Sequence, residues 1–351
     1  MLYGLNDVTI IPTTISDIRH RAECSTEYED GMLPLFAAPM AGVIDEYNFK
    51  KFNTNKINTI VPRTVAWNIR DTICRDTFVA IGLEELKTLI ETGPSDPEQP
   101  EYICIDIANG HMQEMLDLCT TLKAFYKDSF VIMAGNIANP KTLYYYIKAG
   151  IDYVRLGIGS GNVCTTGANT GIYYPMYSLI KECYNIKTNY SKSNIKLIAD
   201  GGFKNFDQII KALAAGADYV MLGEIFAKSE EACGKILDLE VPYAGKGSAW
   251  KFDKWLCTST TRQLDSPYRE YFGMSTKKAQ QLMGISEDKL KTSEGVVKYV
   301  PIEYPLSKWI ENFTHYLRSA MSYTDSRTLQ EFIGKVRMEV ISNQAFNSFY
   351  K

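Results

Sequence analysis

The 351-residue chain has only three histidines, and no two of them stand at a metal-ligand spacing. That leaves no signature of a catalytic zinc. Its eight cysteines (Cys24, Cys74, Cys104, Cys119, Cys164, Cys183, Cys233 and Cys257) include no C-x-x-C pair. A cysteine cage is therefore not indicated, and reduced thiols in a cytoplasmic setting are the expectation. Basic residues are not in surplus: 38 Lys and Arg face 41 Asp and Glu, a formal charge of −3. Nothing in that balance drives binding to a phosphate backbone, so no nucleic-acid partner is expected. No apolar run approaches the roughly 18 residues of a membrane helix. The opening Met1-Leu2-Tyr3-Gly4-Leu5-Asn6-Asp7 lacks the basic start of a secretory signal. From these absences we expect a soluble intracellular protein with no membrane partner.

What is present is a series of short apolar runs bounded by turn residues. They are Leu33–Ala38, Ile57–Val61, Phe78–Ile81, Tyr102–Asp106, Phe130–Ala134, Tyr153–Leu156, Ile195–Ala199 and Tyr219–Leu222. Nearly continuous apolarity is the mark of parallel strands covered on both faces. Helix-like stretches separate them at Glu84–Thr92, Met112–Phe125, Pro140–Lys148, Met176–Tyr184 and Phe206–Ala214. Asn139-Pro140 reads as an N-cap with proline at the first helical position, and Gly150 and Gly216 as C′ stops. The segments around Ala149-Gly150-Ile151-Asp152 and Ala215-Gly216-Ala217-Asp218 echo each other as helix, A-G-x-D, strand, glycine. The alternation predicts a TIM-type (β/α)8 barrel in preference to an open doubly wound sheet. We expect one domain over 1–351, with an insertion at 225–272 carrying Trp250 and Trp255, and a short flap at 275–295. Extended loops of this kind belong at the catalytic face.

Chemistry-bearing residues gather at the ends of these strands. Gly157-Ile158-Gly159-Ser160-Gly161-Asn162-Val163-Cys164-Thr165-Thr166-Gly167 follows the sixth strand directly. Its glycines free the backbone to face a ligand, and Cys164 is placed to act as a nucleophile. The plainer reading is a buried thiol beside a tight turn. Asp200-Gly201-Gly202 and Gly223-Glu224 end the seventh and eighth strands, the usual anion site of a barrel, with Asp200 on a ribose hydroxyl. Flavin-binding barrels share that feature. Asp106 ends the fourth strand and reads as functional, whereas His111 reads as a solvated helix cap and His315 as structural.

With the Cys164 loop in view, the chain resembles the IMP dehydrogenase and GMP reductase family. The resemblance rests on Ala38-Pro39-Met40, Tyr102 to Gly110, Met133-Ala134-Gly135-Asn136 and Gly157 to Thr166. It continues in Thr170-Gly171, Ala199 to Gly202, Gly273-Met274-Ser275, Ser293-Glu294-Gly295 and Leu317-Arg318-Ser319. It implies a covalent thioimidate between Cys164 and C2 of a purine nucleotide. Thr166 and Glu294 would deliver a proton, as in the reductases. The 20 residues from Ser275 to Glu294 contain neither arginine nor tyrosine, where the dehydrogenases carry an Arg-Tyr pair. The regulatory modules usual in dehydrogenases also have no room.

The resemblance therefore points to a GMP reductase, with NADPH as cofactor and GMP and IMP as ligands. IMP dehydrogenation and a non-catalytic nucleotide-binding barrel are the alternatives. It further implies cofactor contacts from His20, Arg21, Arg63, Asp106, Ile107, Ala108, Ile158, Gly159 and Met274. Ser319, Ala320, Met321 and Ser322 would reach the cofactor of a neighbouring subunit in a homotetramer. The nucleotide would lie on Asp200, Gly201, Gly202, Gly223, Gly273, Met274, Ser275, Lys291, Thr292, Ser293, Glu294 and Gly295. The Gly159, Gly161 and Cys164 carbonyls would hold a potassium ion. The chain departs from the family pattern at Asn162, Gly167 and Glu224.

Overall fold

All eight apolar runs are strands of one closed barrel. A computed structural model describes residues 1–190, 193–237, 240–242, 261–263 and 267–349. In it β1 (Leu35–Ala37), β2 (Asn58–Val61), β3 (Phe78–Ile81) and β4 (Glu101–Asp106) are followed by β5 (Phe130–Ile137), β6 (Tyr153–Leu156), β7 (Lys196–Asp200) and β8 (Tyr219–Leu222). Neighbours pair in parallel, and β1 pairs with β8 to shut the ring. The fold is a TIM (β/α)8 barrel. Three strands have the bounds read from sequence. β5 runs three residues further, because Gly135, Asn136 and Ile137 continue the ladder beyond the apolar run.

The continuous apolarity has its reason in two packed faces. Phe36, Ile60, Phe78, Cys104, Met133, Ile198 and Tyr219 fill the lumen. There Phe36 meets Phe78 and Tyr219 edge-on, with centroids 5.9 and 5.1 Å apart. Outside, the strands pack against helices over a larger annulus of Leu, Ile and Val. The expected helices form at Leu83–Thr92, Gln113–Tyr126, Met176–Asn189 and Phe206–Ala215. The Pro140 stretch divides into a 3-10 turn, with Asn139 accepting from the Lys141 N–H, and a helix at Leu143–Lys148. The ring is completed by Phe49–Thr54, Trp67–Ile73 and the 18-residue Leu306–Tyr323. Trp309 belongs to that last helix, on a buried stripe with Leu306, Phe313, Leu317 and Met321.

The repeated A-G-x-D has a shared cause. Asp152 Oδ2 accepts from the Ile132 N–H at 2.7 Å and pairs with Lys123 at 2.8 Å. Asp218 Oδ2 accepts from the Leu197 N–H at 2.7 Å and pairs with Lys187 at 2.7 Å. Each aspartate thus sits at the start of one strand, caps its neighbour, and draws a lysine from the helix that precedes that neighbour.

The two segments outside the repeat carry secondary structure of their own. The insertion begins with a buried short helix, Glu224–Ala227, in the barrel wall. It ends in a strand, Tyr268–Phe272, antiparallel to Val297–Pro301, with Ile236–Leu237 on its other side. The flap is therefore the loop of a hairpin rather than an extension of a barrel strand. It carries a helix, Lys277–Leu282, capped by the Thr276 hydroxyl. Trp250, Trp255 and Cys257 lie outside the described residues.

Candidate active site

Loop and flap meet at Cys164. The Cys164 Sγ donates to Thr166 Oγ1 at 3.3 Å, and Thr166 Oγ1 donates to Glu294 Oε2 at 2.5 Å. Backbone bonds fix this relay: the Thr165 N–H donates to Glu294 O at 2.9 Å, and the Val296 N–H to Val163 O at 3.0 Å. Cys164 and Gly295 form an isolated antiparallel bridge. A thiol, a hydroxyl and a carboxylate thus lie in one hydrogen-bonded line, half-buried, on two segments 128 residues apart. Such a line can carry the proton of a nucleophilic thiol to a carboxylate and return it to a leaving group. The six other described cysteines are pushed up by burial, Cys104 to about 12. Cys164 is half-buried at the mouth, with its Sγ turned to Thr166.

The flap owes its shape to Gln280, which sequence reading passed over. Its Oε1 accepts from the Lys291 N–H at 2.7 Å, while its Nε2 donates to Lys291 O and Ser275 O at 3.2 and 3.3 Å. One buried carboxamide thereby ties Gly273-Met274-Ser275 to the strip that ends in Glu294. Lys291 and Thr292 are exposed, and Ser293 to Gly295 half-buried.

The tips of β7 and β8 form a second wall. Gly202 holds φ +86°, and a Cβ there would lie 2.6 Å from Ser160 O. Only glycine permits this approach of the β7 tip to the Cys164 loop. Ser160 Oγ donates to Asp200 O at 2.8 Å and closes the same seam. Gly223 packs against the Tyr271 hydroxyl, and burial pushes that phenol far up. Glu224 Oε2 is buried, with no hydrogen-bond partner among the described residues. It lines an outer cleft of about 500 Å³ with Phe203, Lys204, Lys228, Lys308 and Trp309.

Between these walls lies a residue hidden inside an apolar strand. Arg155 of β6 is buried and donates from Nη1 to Asp106 Oδ1 at 2.7 Å. Its Nη2 and Nε donate to Asp200 Oδ2 at 2.9 and 3.1 Å, and Asn136 Nδ2 reaches the same oxygen at 2.7 Å. Burial alone would lower the guanidinium pKa, and the Asp200 and Asp106 carboxylates more than reverse that. A lone arginine in Tyr153-Val154-Arg155-Leu156 was the available signal.

The remaining expected contacts fall into two places. Arg63 follows β2 at the mouth, its Nε 3.9 Å from Glu85, and Ile107 and Ala108 follow Asp106. Ile158 and Gly159 stand on the Cys164 loop, and Met274 at the flap hinge. His20 and Arg21 instead lie against Ser319 to Ser322. Arg21 Nη1 donates to Ser319 Oγ at 3.3 Å, and Ser16 Oγ to Ser322 O at 2.9 Å. This cluster sits toward the far end of the 18-residue helix, about 20–24 Å along from its start. It is not brought to the mouth of its own barrel. His111 departs from the solvated cap expected of it: half-buried, its Nε2 accepts from the Ala138 N–H at 3.0 Å and its Nδ1 contacts Thr142 Oγ1 at 2.9 Å. His315 is exposed on the Leu306–Tyr323 helix. In the Cys164 loop, Gly161 O accepts from the Cys164 N–H at 3.0 Å, and Asn162 O accepts from Lys298 Nζ at 2.7 Å.

Fold and site together define a (β/α)8 barrel with a thiol–hydroxyl–carboxylate relay between the loop after β6 and a hairpin flap. Comparison with known proteins narrows that class. The sequence pattern of the IMP dehydrogenase / GMP reductase domain matches residues 96–348, and the chain belongs to this family. It is 33% identical over 243 residues to an inosine-5′-monophosphate dehydrogenase of Chlorobaculum tepidum, covering 69% of this chain and 46% of that protein. It is 30% identical over 252 residues to a GMP reductase of Onchocerca volvulus, covering 71% and 62%. With a GMP reductase of Shouchella clausii it shares 28% identity over 357 residues, 99% of this chain and 97% of the other. The chain thus spans about half the length of the dehydrogenase it matches.

Proposed function

We propose that this chain is a GMP reductase, converting GMP to IMP and ammonia at the expense of NADPH. The observation that carries the reading is the Cys164–Thr166–Glu294 line, 3.3 and 2.5 Å in its two steps. Cys164 attacks C2 of the purine, and its proton passes through Thr166 to Glu294. An amine leaves poorly unless protonated, so the same relay returns the proton to the departing nitrogen, and ammonia is released from a C2 thioimidate. A reduced nicotinamide dinucleotide, when bound, supplies the hydride that C2 acquires. Breaking the C2–S bond then frees IMP and a Cys164 thiolate, which takes a proton from solvent to restore the thiol. Ser275 to Glu294 offers no arginine or tyrosine to activate water. Hydrolysis of the adduct, the dehydrogenase outcome, lacks that Arg-Tyr pair there.

The residues at the mouth suit such a cofactor. Asp106 keeps one carboxylate oxygen without a donor among the described residues, and Arg63, 3.9 Å from Glu85, follows strand β2. His20, Arg21 and Ser319 to Ser322 would serve only the cofactor of another copy, which supports an oligomer and, on the family resemblance, a homotetramer. Gly202, Gly223 and Glu224 would meet the nucleotide phosphate with backbone N–H groups. The Gly159, Gly161 and Cys164 carbonyls are of the donor type a potassium ion takes. There the ion would hold the loop in shape, beside a lysine already bound at Asn162 O.

Purified protein should consume NADPH when given GMP, measured by nicotinamide absorbance. A gain of NADH from IMP and NAD would make it a dehydrogenase. Binding of GMP with no turnover in either direction would make it a non-catalytic nucleotide-binding barrel.

A further inference from the structure

Arg155 touches both groups that the foregoing reading gives to different ligands. It rises from β6 and reaches Asp106 at the tip of β4 with one nitrogen, and Asp200 at the tip of β7 with two. Only one oxygen of each carboxylate is engaged in this way. Asp200 Oδ2 takes three N–H donors, from Arg155 twice and from Asn136 once. Asp106 Oδ1 takes the third Arg155 bond. Among the described residues no donor reaches Asp200 Oδ1 or Asp106 Oδ2, and neither oxygen is sealed off from solvent. The carboxylates are 14% and 15% exposed, Arg155 only 9%.

One guanidinium therefore faces two carboxylates. Desolvated carboxylates hold their charge only against a well-placed cation, and a guanidinium is the side chain that forks rigidly to two acceptors at once. The arrangement leaves a net negative charge and two aimed acceptor oxygens. Groups able to satisfy them are N–H and O–H donors, such as a ribose hydroxyl at Asp200 and a carboxamide at Asp106.

We infer that Arg155 is a positioning residue that binds the two subsites into one unit, holding the nucleotide acceptor on Asp200 and the dinucleotide acceptor on Asp106 from a single buried side chain. The inference rests on the reductase reading. Its consequence is asymmetric. Removing either carboxylate weakens the ligand on that side, whereas removing the arginine weakens both ligands together.

The test compares Arg155→Lys and Arg155→Met with Asp106→Asn and Asp200→Asn in steady-state kinetics on GMP and NADPH, with thermal midpoints measured in parallel. Lysine keeps the charge but cannot fork. Arg155→Lys should therefore raise both KM values about tenfold, with kcat falling by less. Asp200→Asn should raise the KM for GMP about tenfold and leave that for NADPH within about threefold, and Asp106→Asn should do the reverse. Arg155→Met strands two half-buried carboxylates and can fail to fold, in which case Arg155→Lys decides. A shift in only one KM in Arg155→Lys overturns the inference. So does a loss of kcat and thermal midpoint with both KM values unchanged, which is the pattern of a purely structural role. A wild-type chain that does not turn over GMP overturns the reductase reading and this inference with it, and that outcome is recognised before any variant is made.

Discussion

The two ends of the barrel use aspartate in opposite ways. At the start of the strands, Asp152 and Asp218 are each answered within the chain by a lysine and a neighbouring strand N–H. At the carboxyl ends, Asp106 and Asp200 share one arginine, and each keeps an oxygen that no described residue answers. The first arrangement completes itself and holds the fold. The second leaves two acceptor oxygens open, where our reading puts the ligands. A barrel strand thus has a stabilising end and a chemical end, told apart here by whether the hydrogen bonds close within the protein.

That comparison can be broken, largest effect first, by substitution at each end. Cys164→Ala should abolish turnover, a fall of at least about a thousandfold in kcat, with no loss of thermal midpoint. Residual activity near wild type would place the chemistry elsewhere. Glu294→Gln keeps the shape of the relay but not its base, and kcat for GMP should drop about a hundredfold or more. At the opposite end, Asp218→Asn should cost about 2–4 kcal/mol in denaturant unfolding while leaving both KM values unchanged. A change in KM there would erase the distinction between the ends.

A smaller, pH-dependent effect sharpens the comparison at the rim. Burial lowers the His111 pKa below its ordinary 6.5, and its Nε2 must stay unprotonated to accept from Ala138. The folded state therefore favours the neutral ring. Its stabilising contribution is full above the unfolded pKa and is lost as pH falls below it through the folded pKa. Denaturation midpoints followed from neutral to acid pH should show this slope in the wild type and a weaker one in His111→Gln. The least effect belongs to Lys298→Ala, where an exposed ammonium leaves the Asn162 carbonyl. Less than about 1 kcal/mol of stability and a few-fold of kcat are expected.

The architecture was legible because strands buried on two faces leave continuous apolar runs, as in Phe78–Ile81 and Tyr219–Leu222. The hairpin that carries the flap was not. Its strands, Tyr268–Phe272 and Val297–Pro301, pair across 24 intervening residues and expose Val297 and Tyr299, so no local pattern announces them. The Cys164 loop was visible through its glycines, and Glu294 through a resemblance alone, since nothing local marks a carboxylate that meets its partner 128 residues away. Arg155 was concealed for a different reason. In a four-residue strand, one charged side chain among apolar neighbours does not disturb the pattern, although its burial commits it to a counter-charge. Gln280 is equally quiet, being one polar residue in a polar segment.

The covalent role of Cys164 is the claim on which the mechanism stands. The most direct measurement is the mass of the Cys164 peptide after acid quench during turnover with GMP. The account predicts a gain equal to the nucleotide less ammonia, absent in Cys164→Ala. IMP formed at full rate while that peptide stays unmodified at every quench time would contradict it.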